Sequence, residues 1–308
     1  MVYLASLNGM RSTSMMSLED KLEYNIKSAE DFGWSPDWFD ATNFDEDLIL
    51  KIEQFQYSLG LDCDGLIGPL TYRRIITARE ALEDNDDTEE DERTTHNHLV
   101  FNGKHYPIEW DKVKLWDDEG GLKAKNYKRW RKKEPRDIKM FVTHWDASLS
   151  SKSCQKILDR RGLSCHFLIS ASGIVYQTAD LNDVTFHCGG LNYQTVGCEI
   201  NNAYYTKYQG YYEKRGFGSR PLCKNSIVRG KKLRTHLGFY NVQLRALQAI
   251  LKCLTHPDIG LKLETPDSTW PVKEVMNKSY RGVVHHYHAS ANKIDCGGLD
   301  LQKLIDEM

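Results

Sequence analysis

The sequence is short of several features that would place a protein quickly. Its 41 basic and 43 acidic residues leave a formal net charge of -2, so no global field argues for DNA, RNA or an anionic membrane as partner. No apolar run approaches the ~20 residues needed to span a bilayer, so membrane insertion is not expected. The opening stretch, MVYLASLNGMRSTSMMSLED, lacks a compact basic segment followed by an apolar one and makes a poor secretory signal. A protein made and held in a cytoplasm is therefore expected. The eight cysteines (63, 154, 165, 188, 198, 223, 253 and 296) form no CxxC pair and no tight framework. An even count alone is weak support for disulfides in a chain of this size, and reduced thiols, several of them buried, are expected. No internal repeat is apparent.

What is present divides at a charge run. Residues 83–93, EDNDDTEEDER, offer nothing apolar to bury and read as a solvated linker. The expected organisation is an N-terminal extension (1–16), a small all-α domain of three helices (17–82), an acidic linker (83–95) and a larger domain (96–308). In the small domain Leu18, Leu22, Ile26 and Ala29 recur at helical spacing, as do Leu48, Ile52, Phe55 and Leu59. GLDCDGLIGPLTYRRI then supplies a glycine- and aspartate-rich turn, a proline at a first helical position and a last helix from about Leu70 to Leu82.

The larger domain reads as mixed α/β. Strand-like runs are IKMFVTHW (138–145), CHFLIS (165–170), GIVYQTA (173–179), TVGCEIN (195–201) and RGVVHHYH (281–288). Helices are expected at about 151–161, 241–255 and 299–307, the second carrying a stripe of Leu244, Leu247, Ile250, Leu251 and Leu254. One central sheet flanked by helices is the economical architecture. Residues 204–235, rich in Tyr, Gly, Lys and Arg, read as a long excursion. The basic stretch KAKNYKRWRKK (123–133) could touch an anionic polymer, but a solvated surface is the simpler expectation.

The chemistry concentrates in HHYHASANKIDC (285–296), which holds three of the chain's 11 histidines. A catalytic zinc site takes three protein ligands and leaves a fourth position for water. His285, His286 and His288 are candidate nitrogens, and Asp295 and Cys296 candidate oxygen and sulfur ligands. This segment can supply two ligands, and the third should come from a distant strand. His144 in FVTHWDAS is well placed, because it ends an apolar strand where the chain turns polar. In TVGCEIN, Val196, Cys198 and Ile200 make an apolar face and send Glu199 to the other. A carboxylate there is either an ion-paired residue or a general base facing a cleft.

From about residue 138 to 300 the chain resembles the zinc-dependent N-acetylmuramoyl-L-alanine amidases, the superfamily that also contains the peptidoglycan recognition proteins. The resembling segments come in family order: FVTHWDAS, SCHFLISASGIVYQTADLNDVTFHCGG, TVGCEIN, FYNVQLRALQAIL and VVHHYHASANKIDCGG. The resemblance implies a Zn2+ ion held by His144, a second histidine and Asp295, which follows Lys293 in the family's K-x-D form. Cys296 then stands where many relatives have proline. Aligning VVHHYH on the usual VVGH form selects His286 as the second ligand. Counting back from Asp295 in relatives with a longer loop selects His285. We take His286, with His285 as the alternative and His288, on the same side of the strand as His286, behind both. The implied reaction is hydrolysis of the amide between N-acetylmuramic acid and the L-alanine of the stem peptide by zinc-activated water. Glu199 would be its general base and Lys293 the donor to the oxyanion. His187 and His166 also sit at family positions, with cleft-lining or supporting roles implied.

Independently, ILKIEQFQYSLGLDCDGLIGPLTYRRI resembles the three-helix peptidoglycan-binding domain, with Asp64, Gly65, Gly68, Pro69 and Thr71 matching its loop. That implies wall binding, with Asp64 and Gly65 among the contacts. The domain order and the poor signal sequence resemble bacteriophage endolysins, which wait in the host cytoplasm and act on the wall after release. The implied partner is bacterial peptidoglycan, both glycan and stem peptide, met by a monomer. A non-catalytic peptidoglycan sensor of the same fold is the competing expectation. A zinc peptidase is disfavoured, since its SxHxxGxAxD ligand motif is absent.

Overall fold

A computed structural model of the chain describes residues 16–82 and 95–308. The expected extension (1–16) and acidic linker (83–95) thus lie outside the described residues, save Met16 and Thr95. The chain divides into two units, residues 1–75 and 76–308. No described helix is long and apolar enough to cross a membrane.

The first unit holds α1 (Leu18–Phe32), α2 (Glu46–Leu59) and the start of α3 (Pro69–Glu80). Ser17 and Asp20 form a reciprocal capping box on α1, Asp45 caps α2, and both helices stop on a left-handed glycine, Gly33 or Gly60. On α2 Leu48, Ile52 and Leu59 of the expected stripe are buried and Phe55 is half-buried. On α1 it is not: Leu18 and Ile26 are more than 40% exposed, and Asn25 and Ser28 are the buried positions. The cause lies in the turn matched to the wall-binding motif, whose backbone needs partners. Asn25 donates to the Gly65 carbonyl at 2.8 Å and accepts from Ile67 N at 2.9 Å, while Ser28 donates to the Ile67 carbonyl at 2.6 Å. Gly65, at φ +73°, allows this closeness, because a Cβ there would lie 2.8 Å from Ile49 Cγ2.

The second unit begins with the hairpin β1 (His98–Phe101) and β2 (Lys104–Pro107), then β3 (Val113–Leu115), β4 (Tyr127–Lys128) and β5 (Met140–Trp145). There follow α4 (Ser151–Arg160), β6 (Phe167–Ile169), β7 (Val175–Gln177), β8 (Val184–Thr185) and β9 (Thr195–Ile200). The excursion carries α5 (Gln209–Lys214), β10 (Leu222–Cys223), β11 (Ile227–Val228) and β12 (Lys231–Lys232), and β13 (His236–Leu237) follows it directly. The chain closes with α6 (Asn241–Leu254), α7 (Lys273–Met276), β14 (Gly282–His285), α8 (His286–Ala289) and α9 (Leu301–Asp306).

Six strands make one mixed sheet in the order β14-β5-β9-β6-β7-β3. β14, β5, β9 and β6 run parallel, and β6 turns back on β7 as the expected hairpin. The parallel strands are buried on both faces, which is why they read as unbroken apolar runs. α4 packs on the sheet through Cys154 and Leu158 against Leu168 and Tyr176, and Leu247, Ile250, Leu251 and Leu254 of α6 are all buried. The 204–235 segment is folded rather than loose. Its Arg220 is 2% exposed, lies 4.0 and 4.3 Å from the Tyr212 and Tyr240 ring centroids, and donates to Asn201 Oδ1 at 2.9 Å. All eight cysteines are thiols.

The run at 281–288 is not a single strand. β14 ends at His285 and the chain turns helical at His286, where His285 N donates to His288 Nδ1 at 3.2 Å. His288 therefore does not share a strand face with His286. It donates its other nitrogen to the Ser268 carbonyl at 2.7 Å.

Candidate metal centre

The carboxyl ends of β5, β9 and β14 assemble the site. His144 on β5 stands in register with Glu199 on β9, and His285 on β14 with Thr143 on β5. Neighbours in register project to the same face, and successive residues alternate. His144 and Glu199 thus share one face, His285 and Thr143 take the other, and the chain after β14 delivers His286 to the His144 side. The structure bears this parity out. His285 Nδ1 lies 3.0 Å from Thr143 Oγ1, whereas His286 Nδ1 lies 3.0 Å from His144 Nδ1.

Asp295 completes a triangle. Its Oδ2 is 3.1 Å from His144 Nδ1 and 2.9 Å from His286 Nδ1. The three edges are close to the ~3.3 Å that separates ligands around a tetrahedral ion with bonds of about 2.0–2.1 Å. Burial and the neighbouring His286 push His144 down to about 4, so it is neutral near pH 7. Burial alone would raise the Asp295 carboxyl, but His286 and His144 beside it hold it well below the usual carboxylate range. Two imidazoles and a carboxylate, aimed at one point and largely out of water, are a donor set suited to a divalent cation.

The protonation of His144 follows from its other neighbours. Thr195 Oγ1 donates to the Leu191 carbonyl at 3.1 Å, so it accepts from His187 Nε2, also at 3.1 Å. His187 Nδ1 is then the acceptor for His144 Nε2–H at 3.1 Å, which leaves the Nδ1 of His144 bare toward the triangle. A metal ligand is oriented in just this manner when its second nitrogen is hydrogen-bonded. Gly197 makes room for the relay, since a Cβ there would lie 2.6 Å from the His187 ring. Neither Thr195 nor Gly197 was anticipated, although a glycine inside an apolar strand is a signal of close approach.

The remaining sequence candidates are placed as follows. His166 is fully buried. Its Nδ1 faces Thr185 Oγ1 and Gly197 N, and its Nε2 faces the Asp183 carbonyl and Arg136, so its place is that of a support. Lys293 is exposed, with its charge near enough to lower His144, and its carbonyl accepts from Arg229, a clamp on the loop that sequence did not reveal. Cys296 is fully buried, and burial with the nearby Asp295 pushes its thiol far up. Among the described residues it belongs to no ligand group; a second possible group shares His144 with Cys165 and His187 but lacks a carboxylate. In the first unit, Asp64 Oδ1 accepts from Leu66 N and Gln56, and Gly65 N donates to Gln56.

The chain is therefore an α/β protein with a candidate metal centre at the carboxyl end of its parallel strands. Residues 134–298, more than half of the chain, match the family described as N-acetylmuramoyl-L-alanine amidase, and the protein belongs to that family. Solved structures include AmpDh3 from Pseudomonas aeruginosa in complex with an anhydromuramic pentapeptide, 18% identical, with 58% of this chain and 62% of that one covered at a TM-score of 0.36. The endolysin amidase LysCS from Clostridium intestinale URNW is 15% identical, with 64% and 94% covered at a TM-score of 0.37. AmiD from E. coli is 17% identical, with 68% and 65% covered at a TM-score of 0.35. This chain thus spans less than two thirds of the length of the first of these. Likeness at this level adds nothing to the family assignment. No curated protein sequence matches the chain.

Proposed function

We propose that the larger unit hydrolyses the amide between N-acetylmuramic acid and the L-alanine of the peptidoglycan stem peptide, with zinc held by His144, His286 and Asp295. The observation that carries this is the convergence of those three ligand atoms, with the bare His144 Nδ1 set by the His187–Thr195 relay. Bound zinc would polarise the scissile carbonyl and acidify the attacking water. Glu199, beside His144 in the sheet, takes the proton from that water and returns it to the leaving amine. Lys293 donates to the carbonyl oxygen as negative charge develops there. Residues 17–82 are proposed to hold the enzyme to the wall, with Asp64 and Gly65 shaping the contact loop, and wall lysis of the endolysin kind is the proposed setting.

Digestion of purified peptidoglycan tests this reading. Mass spectrometry is expected to find released stem peptides with a new L-alanine amine, lost with chelator and restored by zinc. Binding to sacculi with no release in the presence of zinc would instead make the protein a sensor. The relay has its own test: Gly197→Ala drives a methyl group into the His187 ring, and His187→Phe deletes the acceptor. Both are expected to weaken zinc affinity roughly 10–100-fold, measured by competition with a chelating dye. Unchanged affinity in both would show that the relay does not serve the metal.

A further inference from the structure

The basic run at 123–133 has its cations on an exposed surface, as expected, but its backbone is built into the fold. Tyr127 and Lys128 form β4 and pair with Thr185 and Val184 of β8. Trp130 is pinned twice, its backbone N donating to Asp183 Oδ1 at 2.9 Å and its indole Nε1 to the Glu134 carbonyl at 2.8 Å. Beyond it, buried Arg136 anchors the chain through the Leu181 and Thr195 carbonyls at 2.6 and 2.8 Å. This bracket borders a cleft of about 890 Å³ lined by Lys128, Arg129, Arg131, Lys132 and Lys139. The only acid in that lining, Asp137, is already held by both bonds of Arg281, at 2.7 and 2.8 Å. Five cations thus meet in one cleft of a chain whose net charge is -2.

We propose that this cleft binds an anionic, phosphodiester-linked polymer without nucleobases, of the polyol-phosphate type. Guanidinium forks suit phosphate oxygens, and lysines add point charges. Two of the three aromatic rings in the lining, Tyr193 and Trp130, serve the cations rather than a stacked base. Lys128 Nζ sits 5.3 Å from the Tyr193 ring centroid and Lys132 Nζ 5.1 Å from that of Trp130. A site for single-stranded nucleic acid would need such faces open for stacking. The cleft is also distinct from the metal centre. Lys139 and Gln194 line it immediately before β5 and β9, whereas His144 and Glu199 lie near the opposite ends of those strands. The proposal rests on the wall-hydrolase reading only for where such a polymer would be met.

Calorimetric titration of the full chain with poly(glycerol phosphate) of defined length is the test. Binding is expected, weakening as salt rises, and the triple variant Arg129→Gln, Arg131→Gln, Lys132→Gln should bind roughly tenfold more weakly with a flatter salt dependence. Lys139→Gln, in the same lining but outside the 123–133 run, should weaken binding in the same direction. Both variants should cleave a soluble muramyl peptide at the unaltered rate, which controls for folding. Absence of binding, equal binding by both variants, or equally tight binding of oligo-dT or poly-L-glutamate by the unaltered protein would each overturn the proposal. Failure to cleave the muramyl peptide in the unaltered protein would count against the amidase reading alone, because the titration reads binding and not turnover.

Discussion

Alanine at position 286 is expected to empty the metal centre, whereas alanine at position 285 should leave it filled. The two histidines are adjacent in sequence and opposite in the fold. His286 points its Nδ1 at His144 and Asp295, while His285 is 3% exposed, bonded to Thr143 Oγ1 at 3.0 Å and stacked on Tyr287 at 4.8 Å. Removing His286 deletes one of three ligands and leaves the Asp295 carboxylate with a single imidazole. The loss of zinc affinity should exceed the roughly 10–100-fold that removal of an outer partner costs. Metal content after dialysis, read by elemental analysis, decides the matter. The His285→Ala protein should retain stoichiometric zinc but melt earlier, since a buried hydrogen bond and its packing are worth about 1–3 kcal/mol. Burial and the neighbouring His288 push His285 down to about 3, so it is neutral near pH 7 and its loss removes packing and a hydrogen bond rather than a charge. The opposite pattern, zinc lost at 285 and kept at 286, would place the ligand on the other face and refute the parity of β14 against β5.

Glu199→Gln is expected to keep the metal and lose the reaction. The substitution preserves the shape of a side chain only 5% exposed in β9, so the sheet should tolerate it. What it removes is the basic oxygen next to His144. A positioned general base contributes on the order of 10²- to 10⁴-fold, and kcat on a soluble muramyl peptide should fall by that amount with zinc content unchanged. A variant that keeps turnover within a few-fold would make Glu199 a structural carboxylate and send the search for the base elsewhere. Zinc lost along with turnover would mean instead that the carboxylate supports the ligand cluster.

Much of this site was legible from residue types and spacing, and the parts that were not share a cause. His144 announced itself as the polar end of an apolar strand, and Glu199 by alternation against Val196, Cys198 and Ile200. Those signals are local and survive without knowledge of the fold. The choice between His285 and His286 did not, because it depends on which residue ends β14 and on how that strand pairs with β5, some 140 positions away in the chain. The sequence pattern ran straight through to His288, and only the turn at His286 shows that the strand stops. The buried face of α1 was misjudged for a related reason. Its apolar residues have helical spacing, yet the backbone of a turn some 40 residues later needs Asn25 and Ser28 more than the core needs Leu18 or Ile26.

The basic stretch follows the same division. Its composition allowed an anionic partner but favoured a plain solvated surface. The pairing of β4 with β8 and the burial of Arg136 turned it into one wall of a cleft.

By itself, then, the sequence determined the sheet-forming segments, the helical stripe of α6 and the residue types from which a metal centre could be drawn, since periodicity and chemistry are properties of short stretches. The tertiary structure alone decided which histidine meets His144, which atom of His144 is left bare, and which cations gather around one cleft. Those depend on register between distant strands and on hydrogen bonds closed across more than a hundred residues, such as that between Thr143 and His285, 142 positions apart.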